Sequence, residues 1–226
     1  MNGSGFPTST VSPYGATTTN SYHTYNTGSD GKPTTTTSIT NNHFTRQTLD
    51  GMGHVILQET GTVSGSTLTT VSQVTSIYAP CGCSPMGKLS QVSEPYAPGG
   101  TPVYTTYTYD GMGRTLSVTL PDGSVTHYSY DDLAGSANAS DVTTTDPASK
   151  AKRFQLNGLG QLTQVTEDPN GLAYVTIYAY DALGHLYTVK QTRSGNLQTR
   201  TFSYVKSGAL TAFLQSATNP ENGTVS

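Results

Sequence analysis

Four positions in this chain place an acid or its amide in the same local setting: Asp50 in Leu49-Asp50-Gly51-Met52-Gly53-His54, Asp110 in Tyr109-Asp110-Gly111-Met112-Gly113-Arg114, Asn157 in Leu156-Asn157-Gly158-Leu159-Gly160-Gln161, and Asp181 in Tyr180-Asp181-Ala182-Leu183-Gly184-His185. Such carboxylates could hold a cation or move a proton. A calcium loop needs several oxygens converging in a short segment, and no Asp-x-Asp-x-Asp-Gly run occurs. An acid that recurs once per unit, and gives way to Asn157 or Ser84, is expected to be a turn residue accepting bonds from its own backbone. Cys81-Gly82-Cys83 could be half a metal site, a redox pair or an intermolecular cross-link, but zinc ligands are usually spaced wider and come in fours. No second cysteine pair and no His-x-x-x-His follows. A bond across one residue would close a very small ring, so free thiols in a turn are expected. The histidines at 23, 43, 54, 127 and 185 are dispersed, and His54 and His185 fill the slot that is Arg114 elsewhere, a polar turn position. There is no Gly-x-Ser-x-Gly elbow. A glycosidase-like pair needs two acids that meet in space, and few acids here lie outside turns. No catalytic residue, metal or cofactor is expected.

The elements that carry these residues form a repeat. One more copy, the second of five in chain order, reads Cys83-Ser84-Pro85-Met86-Gly87-Lys88-Leu89, and the marker glycines Gly53, Gly87, Gly113, Gly160 and Gly184 are 34, 26, 47 and 24 residues apart. An aliphatic residue stands two positions after the glycine in four copies (Val55, Leu89, Leu162, Leu186), with Thr115 the exception, and valine stands five after it in four (Val92, Val118, Val165, Val189). Turn residues follow at Pro121-Asp122-Gly123 and Asp168-Pro169-Asn170-Gly171, where proline presets φ and Asp-Gly or Asn-Gly tolerates the positive φ of a hairpin. Alternating stretches then lead back to tyrosine: Ser124 to Tyr130, and Ala173 to Tyr180. The unit is strand, turn, strand. Positions two and five after the glycine differ by an odd number, so they cannot share a face of a regular strand. A bend or bulge must intervene: the glycine, for which the left-handed region is natural, and the aliphatic residue after it are expected to belong to that bend, with the valine beginning the regular half-buried face. The step of 47 predicts two units with a blurred copy at about 131–152, in which Thr143-Thr144-Thr145-Asp146-Pro147 ends a strand. A last unit starts at Tyr204, turns at Asn219-Pro220-Glu221-Asn222-Gly223, and is expected to be truncated at Ser226.

Leu, Ile, Val and Phe make up about 18% of the 226 residues, a level at which disorder is suspected. Disorder usually also needs high net charge, and this chain carries −3 with 11% charged residues. Threonine and the 15 tyrosines favour strands. Tyr107 with Tyr109, Tyr128 with Tyr130, and Tyr178 with Tyr180 are two apart, hence on one face. Near-neutral charge offers no footprint for nucleic acid or anionic lipid. No run approaches 18 apolar residues, so no transmembrane helix is expected, and the first residues show no signal peptide. Residues 1–15 are expected to be disordered and followed by a hairpin across Ser29-Asp30-Gly31; 16–226 form the array. Gly135 and Gly208 interrupt the only helical windows. Sequons at Asn2, Asn138 and Asn222 are expected by chance in a Ser/Thr-rich chain.

The pattern Tyr-Asp-x-x-Gly-Arg, an aliphatic residue, Val-Thr, a Pro-Asp-Gly type turn and a return strand ending in Tyr-x-Tyr-Asp resembles the YD repeat of the Rhs (rearrangement hotspot) family. Tyr109 to Tyr130 and Leu156 to Tyr180 carry it best, and with weaker copies it covers about Thr45 to the end. The resemblance implies a sheet of hairpins spiralling into a shell, as in bacterial Rhs toxins, the cocoon of insecticidal toxin complexes and the teneurin barrel. It further implies a secreted or cell-surface location, and neighbouring repeats and an enclosed C-terminal toxin domain as partners. Asp146-Pro147-Ala148-Ser149 and Asp168-Pro169-Asn170-Gly171 are internal turns and no autoproteolytic aspartates align, so the sequence is expected to be a section of such a wall, too short to close a cavity alone.

The expected fold is therefore all-β: tandem antiparallel hairpins in a curved, open sheet. Its structural turn residues are Asp50, Gly53, Gly87, Tyr109, Asp110, Gly113, Arg114, Asp122, Gly123, Asn157, Gly160, Asn170, Gly171, Tyr180, Asp181, Gly184, Asn222 and Gly223. The expected role is a wall segment without catalysis of its own; the rival is a surface module that binds a glycan or protein through tyrosines and threonines.

Overall fold

The computed structural model describes residues 7–23, 35–131, 141–193, 195–205, 213–221 and 223–225. Among them there is no helix. The strands are β1 (Ser9–Val11), β2 (Thr17–His23), β3 (Thr35–Thr40), β4 (His43–Leu49), β5 (Val55–Ser64), β6 (Thr67–Cys81), β7 (Ser84–Ser93), β8 (Tyr104–Tyr109), β9 (Thr115–Thr119), β10 (Val125–Asp131), β11 (Asp141–Thr145), β12 (Ala151–Leu156), β13 (Leu162–Glu167), β14 (Tyr174–Tyr180), β15 (Leu186–Arg193), β16 (Asn196–Tyr204), β17 (Leu214–Asn219) and β18 (Gly223–Val225). They fall into two units, Met1–Val125 and Thr126–Ser226. Within the first, β1 to β9 pair antiparallel in chain order. Within the second, β10 to β18 do the same. The all-β, antiparallel, open arrangement is the one the hairpin spacing predicts.

The odd spacing of the two apolar positions is resolved by a bulge. Tyr109 pairs with Thr115 and Thr108 with Ser117, so Leu116 is the extra residue. The same slip skips Ile56, Thr163, Tyr187 and Gln215 in their hairpins. Position two then faces Tyr109 and position five, Val118, faces Tyr107; the tyrosines are two apart, so all four side chains share one face. The aliphatic residue after the glycine is thus already paired in the strand. It does not belong to the bend, as its place beside the glycine had suggested.

In β3 to β5 the two faces differ in chemistry. One carries the row Ser38, Thr45, Thr60, uncharged and rich in hydroxyls. The other carries Ile39 beside Phe44, and Thr37 beside Arg46 and Glu59. Phe44, 2% exposed, is the one apolar side chain among the described residues that is fully buried, whereas Thr37, Glu59, Ser93, Thr105, Asp141, Thr166 and Thr188 are buried polar ones. Order therefore rests on ladder hydrogen bonds and side-chain bonds between strands more than on an apolar core. Where Phe44 does pack, the chain is tight: a Cβ on Gly61 would lie 2.0 Å from the Thr69 carbonyl oxygen and 2.7 Å from the Phe44 ring.

Strand β6 is shared. Its first part, to Thr75, pairs with β5 and its last part, from Ser76, with β7. At the hand-over the Thr75 N–H donates to Ser93 Oγ at 2.9 Å, and Gln73 and Tyr96 exchange backbone bonds of 2.9 and 3.0 Å. Strand β1 lies within the stretch whose composition suggested disorder to residue 15, because Ser12 and Gly15 form a turn there: the Gly15 N–H donates to Ser12 O, and Gly15 has φ +82°. The expected hairpin at Ser29-Asp30-Gly31, the middle of the blurred copy and Asn222 lie outside the described residues.

Candidate functional site

The repeated segments form one kind of turn. In the third copy the Asp110 N–H donates to Arg114 O and the Gly113 N–H to Asp110 O, each at 3.0 Å, while Gly113 has φ +82°. This is a three-residue loop closed by a glycine in the left-handed region. Asp50 to His54, Asn157 to Gln161 and Asp181 to His185 repeat both bonds, with φ +86°, +76° and +86° at Gly53, Gly160 and Gly184. The side chain completes the turn. Asp110 Oδ1 accepts the backbone N–H of Met112 and of Arg114, both at 2.9 Å, and Oδ2 accepts Arg114 Nε at 2.7 Å. In Asp50 and Asp181 the outer oxygen instead meets Nδ1 of His54 and His185, at 2.9 and 3.0 Å. Asn157 takes the same two backbone bonds and donates its amide to Gln161 Oε1.

These bonds hold the acids ionised. The Arg114 side-chain bond lowers the pKa of Asp110, aided by its two backbone donors and opposed by desolvation. Desolvation raises that of Asp50 but is outweighed by His54 and the backbone. For Asp181 the His185 N–H leads and its ring follows. A carboxylate whose oxygens are engaged in this way is poorly placed to take up a proton or a metal.

Successive turns are stitched together. The tyrosine that opens a copy sends its hydroxyl back to the carbonyl of the residue two after the previous marker glycine: Tyr109 to Leu89 at 2.7 Å, Tyr180 to Leu162 at 2.9 Å and Tyr204 to Leu186 at 2.9 Å. That carbonyl immediately precedes the bulge, where ladder pairing is interrupted. The slot after the glycine reaches forward. His54 stacks on Tyr78 and His185 on Tyr204, with ring centroids 4.2 and 4.7 Å apart. The Lys88 ammonium lies 4.5 Å from the centre of the Tyr109 ring and donates to the Gly113 carbonyl, and Gln161 reaches Gly184 O at 3.4 Å. The slot is therefore a coupling position. The sequence marked it as polar but did not show what it bonds.

Two sequence expectations are corrected in the second copy. Tyr78 pairs with Leu89 and Ala79 with Lys88, so Ala79 takes the place of the turn acid. Ser84 pairs with Cys81 inside an added loop; it is not the acid's equivalent. Nor are the thiols free: Cys81 and Cys83 form a disulfide. The hairpin tip sets their Cα atoms 5.2 Å apart, within the ordinary disulfide span, which the one-residue separation in sequence concealed. Closing so short a loop contributes only about 1.6 kcal/mol by the chain-entropy relation. Gly87 keeps φ +87° at the end of this longer loop.

The opposite turns reuse the motif. The Gly123 N–H donates to Leu120 O, and Asp122 Oδ1 accepts the Ser124 N–H and hydroxyl at 2.8 and 2.6 Å. Asp146 to Lys150 is built alike, with Ser149 in the left-handed position. In the loop Asp168-Pro169-Asn170-Gly171-Leu172-Ala173 the positive φ values fall on Asp168 and Ala173; Asn170 and Gly171, singled out for that conformation, do not adopt it. Gly171 serves clearance, because a Cβ there would lie 2.2 Å from Asp168 Oδ2. Gly223 is left-handed at φ +71°.

Two further ion pairs went unseen in the sequence, because each joins residues on neighbouring strands. In a concavity of about 480 Å³ lined by Thr37, Ile39, Thr48 and Leu68 among others, Arg46 grips Glu59 with bonds of 2.6 and 2.7 Å, and Thr70 adds one at 3.1 Å. The Arg46 bond lowers the Glu59 pKa against desolvation. Asp141, 4% exposed, is bonded by Arg153 and by Gln155 through Oδ2. Both acids are committed to pairing. Among the described residues, no three His, Cys, Asp or Glu side chains gather as metal ligands.

No protein-family model matches this chain, and no curated protein matches it. Among solved structures it is similar to the crystal structure of TcdB2-TccC3-Cdc42, at 14% identity with a TM-score of 0.49, and to that of TcdB2-TccC3-TEV, at 15% identity with a TM-score of 0.47. Each match covers 98% of this chain and 15% of the other. The chain thus spans about a seventh of the length of these structural neighbours.

Proposed function

We propose that this chain is a wall segment of an Rhs-type shell: its hairpins form part of an enclosure around a toxin domain of a longer polypeptide, without catalysis of their own. One observation carries the proposal. The repeat-defining side chains are engaged within their own turn or with the adjacent copy, as in the bonds of Tyr109, Tyr180 and Tyr204 to Leu89, Leu162 and Leu186. An array that devotes its recurrent residues to coupling its own units is built to extend a surface. The YD pattern adds the shell and its secreted or cell-surface setting. The test uses the polypeptide encoded around this segment: cryo-electron microscopy of the whole product should place these strands in a closed wall around a passenger. Strands lying in an open array with nothing enclosed would refute it.

A second reading, a module binding glycan or protein, is favoured by one feature. The residue before the marker glycine is apolar and outward, with Met52, Met112, Leu159 and Leu183 exposed by 56%, 74%, 84% and 77%. A glycan array probed with the chain and with Tyr107→Ala and Tyr178→Ala separates the two. Specific binding lost without unfolding supports the module, and no binding supports the wall.

A further inference from the structure

The added loop of the second copy presents chemistry that the repeat does not need. The copies at Asp50, Asp110, Asn157 and Asp181 turn with three residues between their bonded ends, whereas here Pro80 to Gly87 intervene between Ala79 and Lys88, and the tip is closed by the Cys81–Cys83 disulfide. A ring spanning one residue removes little conformational freedom from the unfolded chain, so it is a weak staple. Gly82 at its apex is exposed, and both cysteines are partly open to solvent. The loop also folds against the next turn: the point where a Gly113 Cβ would stand lies 3.2 Å from Cys83 Sγ and 3.5 Å from the Lys88 ammonium. The Lys88 ammonium, held by the Gly113 carbonyl and the Tyr109 ring, and Cys83 Sγ therefore flank the same point beside Gly113, which puts a positive charge in the neighbourhood of one sulfur of the pair.

We propose that Cys81–Cys83 is a site of thiol–disulfide exchange whose co-substrate is a dithiol, small or protein-borne. The dithiol's thiolate attacks Cys81 Sγ, forming a mixed disulfide as the Cys81–Cys83 bond breaks and its electron pair leaves on Cys83 as thiolate. Lys88 stabilises that leaving thiolate, and a lower-pKa thiol leaves faster. The second thiol of the dithiol then attacks the mixed disulfide, releasing Cys81 as thiolate and the co-substrate as its cyclic disulfide; two electrons pass to the protein, and water supplies protons to whichever thiolates are protonated at the working pH. Lys88 is a positioning residue for charge.

The test is reduction of the intact chain by dithiothreitol at pH 7, quenched by alkylation and followed by intact mass. The folded chain should gain two alkyl groups at least about threefold faster than the same chain unfolded in guanidinium, where the fold no longer fixes Lys88 in the neighbourhood of Cys83. Lys88→Met should remove this advantage and Lys88→Arg should keep it. A chain that carries two free thiols after equilibration with oxidised glutathione, a folded rate equal to or below the unfolded one, or equal rates in Lys88→Met and Lys88→Arg would overturn the proposal. The folded-to-unfolded comparison needs no variant, so a substitution that fails to fold leaves the test intact.

Discussion

Replacing Tyr180 by phenylalanine removes one oxygen and keeps the ring. The hydroxyl donates to the Leu162 carbonyl at 2.9 Å, a partly buried bond between adjacent hairpins, and a bond of this kind contributes about 1 kcal/mol net. On a unit of roughly 100 residues that corresponds to a fall of about 4–8 °C in Tm. Tyr204→Phe should cost a similar amount, since its hydroxyl reaches Leu186 at 2.9 Å and its ring remains stacked on His185. The two rungs are linked, because Tyr180 pairs with Leu186, the residue whose carbonyl receives Tyr204. The double variant should therefore cost less than the sum of the singles by about 0.5 kcal/mol or more. Tyr107→Phe is the control: its hydroxyl has no protein partner among the described residues, and the change should stay within about 0.5 kcal/mol of the parent. Urea unfolding followed by far-ultraviolet circular dichroism measures all four, with midpoints shifting at constant slope. If Tyr180→Phe matches the parent, or the double variant is strictly additive, the stitching of hairpins through tyrosine hydroxyls is refuted.

Gly113→Ala should destabilise more than Gly160→Ala. Both leave a side chain in the left-handed region at about 1–2 kcal/mol, but only the Gly113 Cβ meets Cys83, at 3.2 Å, while that of Gly160 meets nothing within 4 Å; calorimetry on the two variants orders them. Gly61→Ala should prevent or badly weaken folding of the first unit, because the new Cβ overlaps the Thr69 carbonyl, and soluble yield with circular dichroism reads this out. The turn acids give a pH dependence of definite sign. Asp50, Asp110, Asp122 and Asp181 have lowered pKa values, so their contribution is present above the unfolded value near pH 4. It is lost as pH falls through the folded values. Urea midpoints measured from pH 6 to pH 2 should drop on the acid side, and Asp110→Asn should flatten that drop.

The turns were legible because glycine and aspartate report backbone conformation locally: Gly53, Gly113, Gly160 and Gly184 are left-handed where the repeat phase put them. The need for an irregularity between the apolar positions was also legible from parity alone, although its place, at Leu116 and its equivalents, depends on the partner strand. What sequence spacing concealed was lateral. Arg46 and Glu59 look unrelated until β4 and β5 are set in register, and Asp141 and Arg153 likewise until β11 and β12 are. The second copy misled because a longer loop keeps the glycine and the slot while displacing the acid, so Ser84 imitated it. Ser12 to Ala16 was missed for a compositional reason: a Ser/Thr/Gly-rich stretch resembles a disordered tail even when one glycine closes a turn.

The forward reach of the slot and the backward reach of the tyrosine give the array a directional, one-neighbour grammar. Excising Asn157 to Tyr180, a segment that starts and ends at equivalent corners, would bring Leu156 onto Asp181 and leave Tyr204 still facing Leu186. Recombination between whole copies can thus change the length of such an array without altering any joint. Loss of a single strand would instead reverse the chain's heading and carry every later corner to the opposite rim. Tolerance to duplication and intolerance to half-unit slippage are both consequences of where one hydroxyl finds its carbonyl.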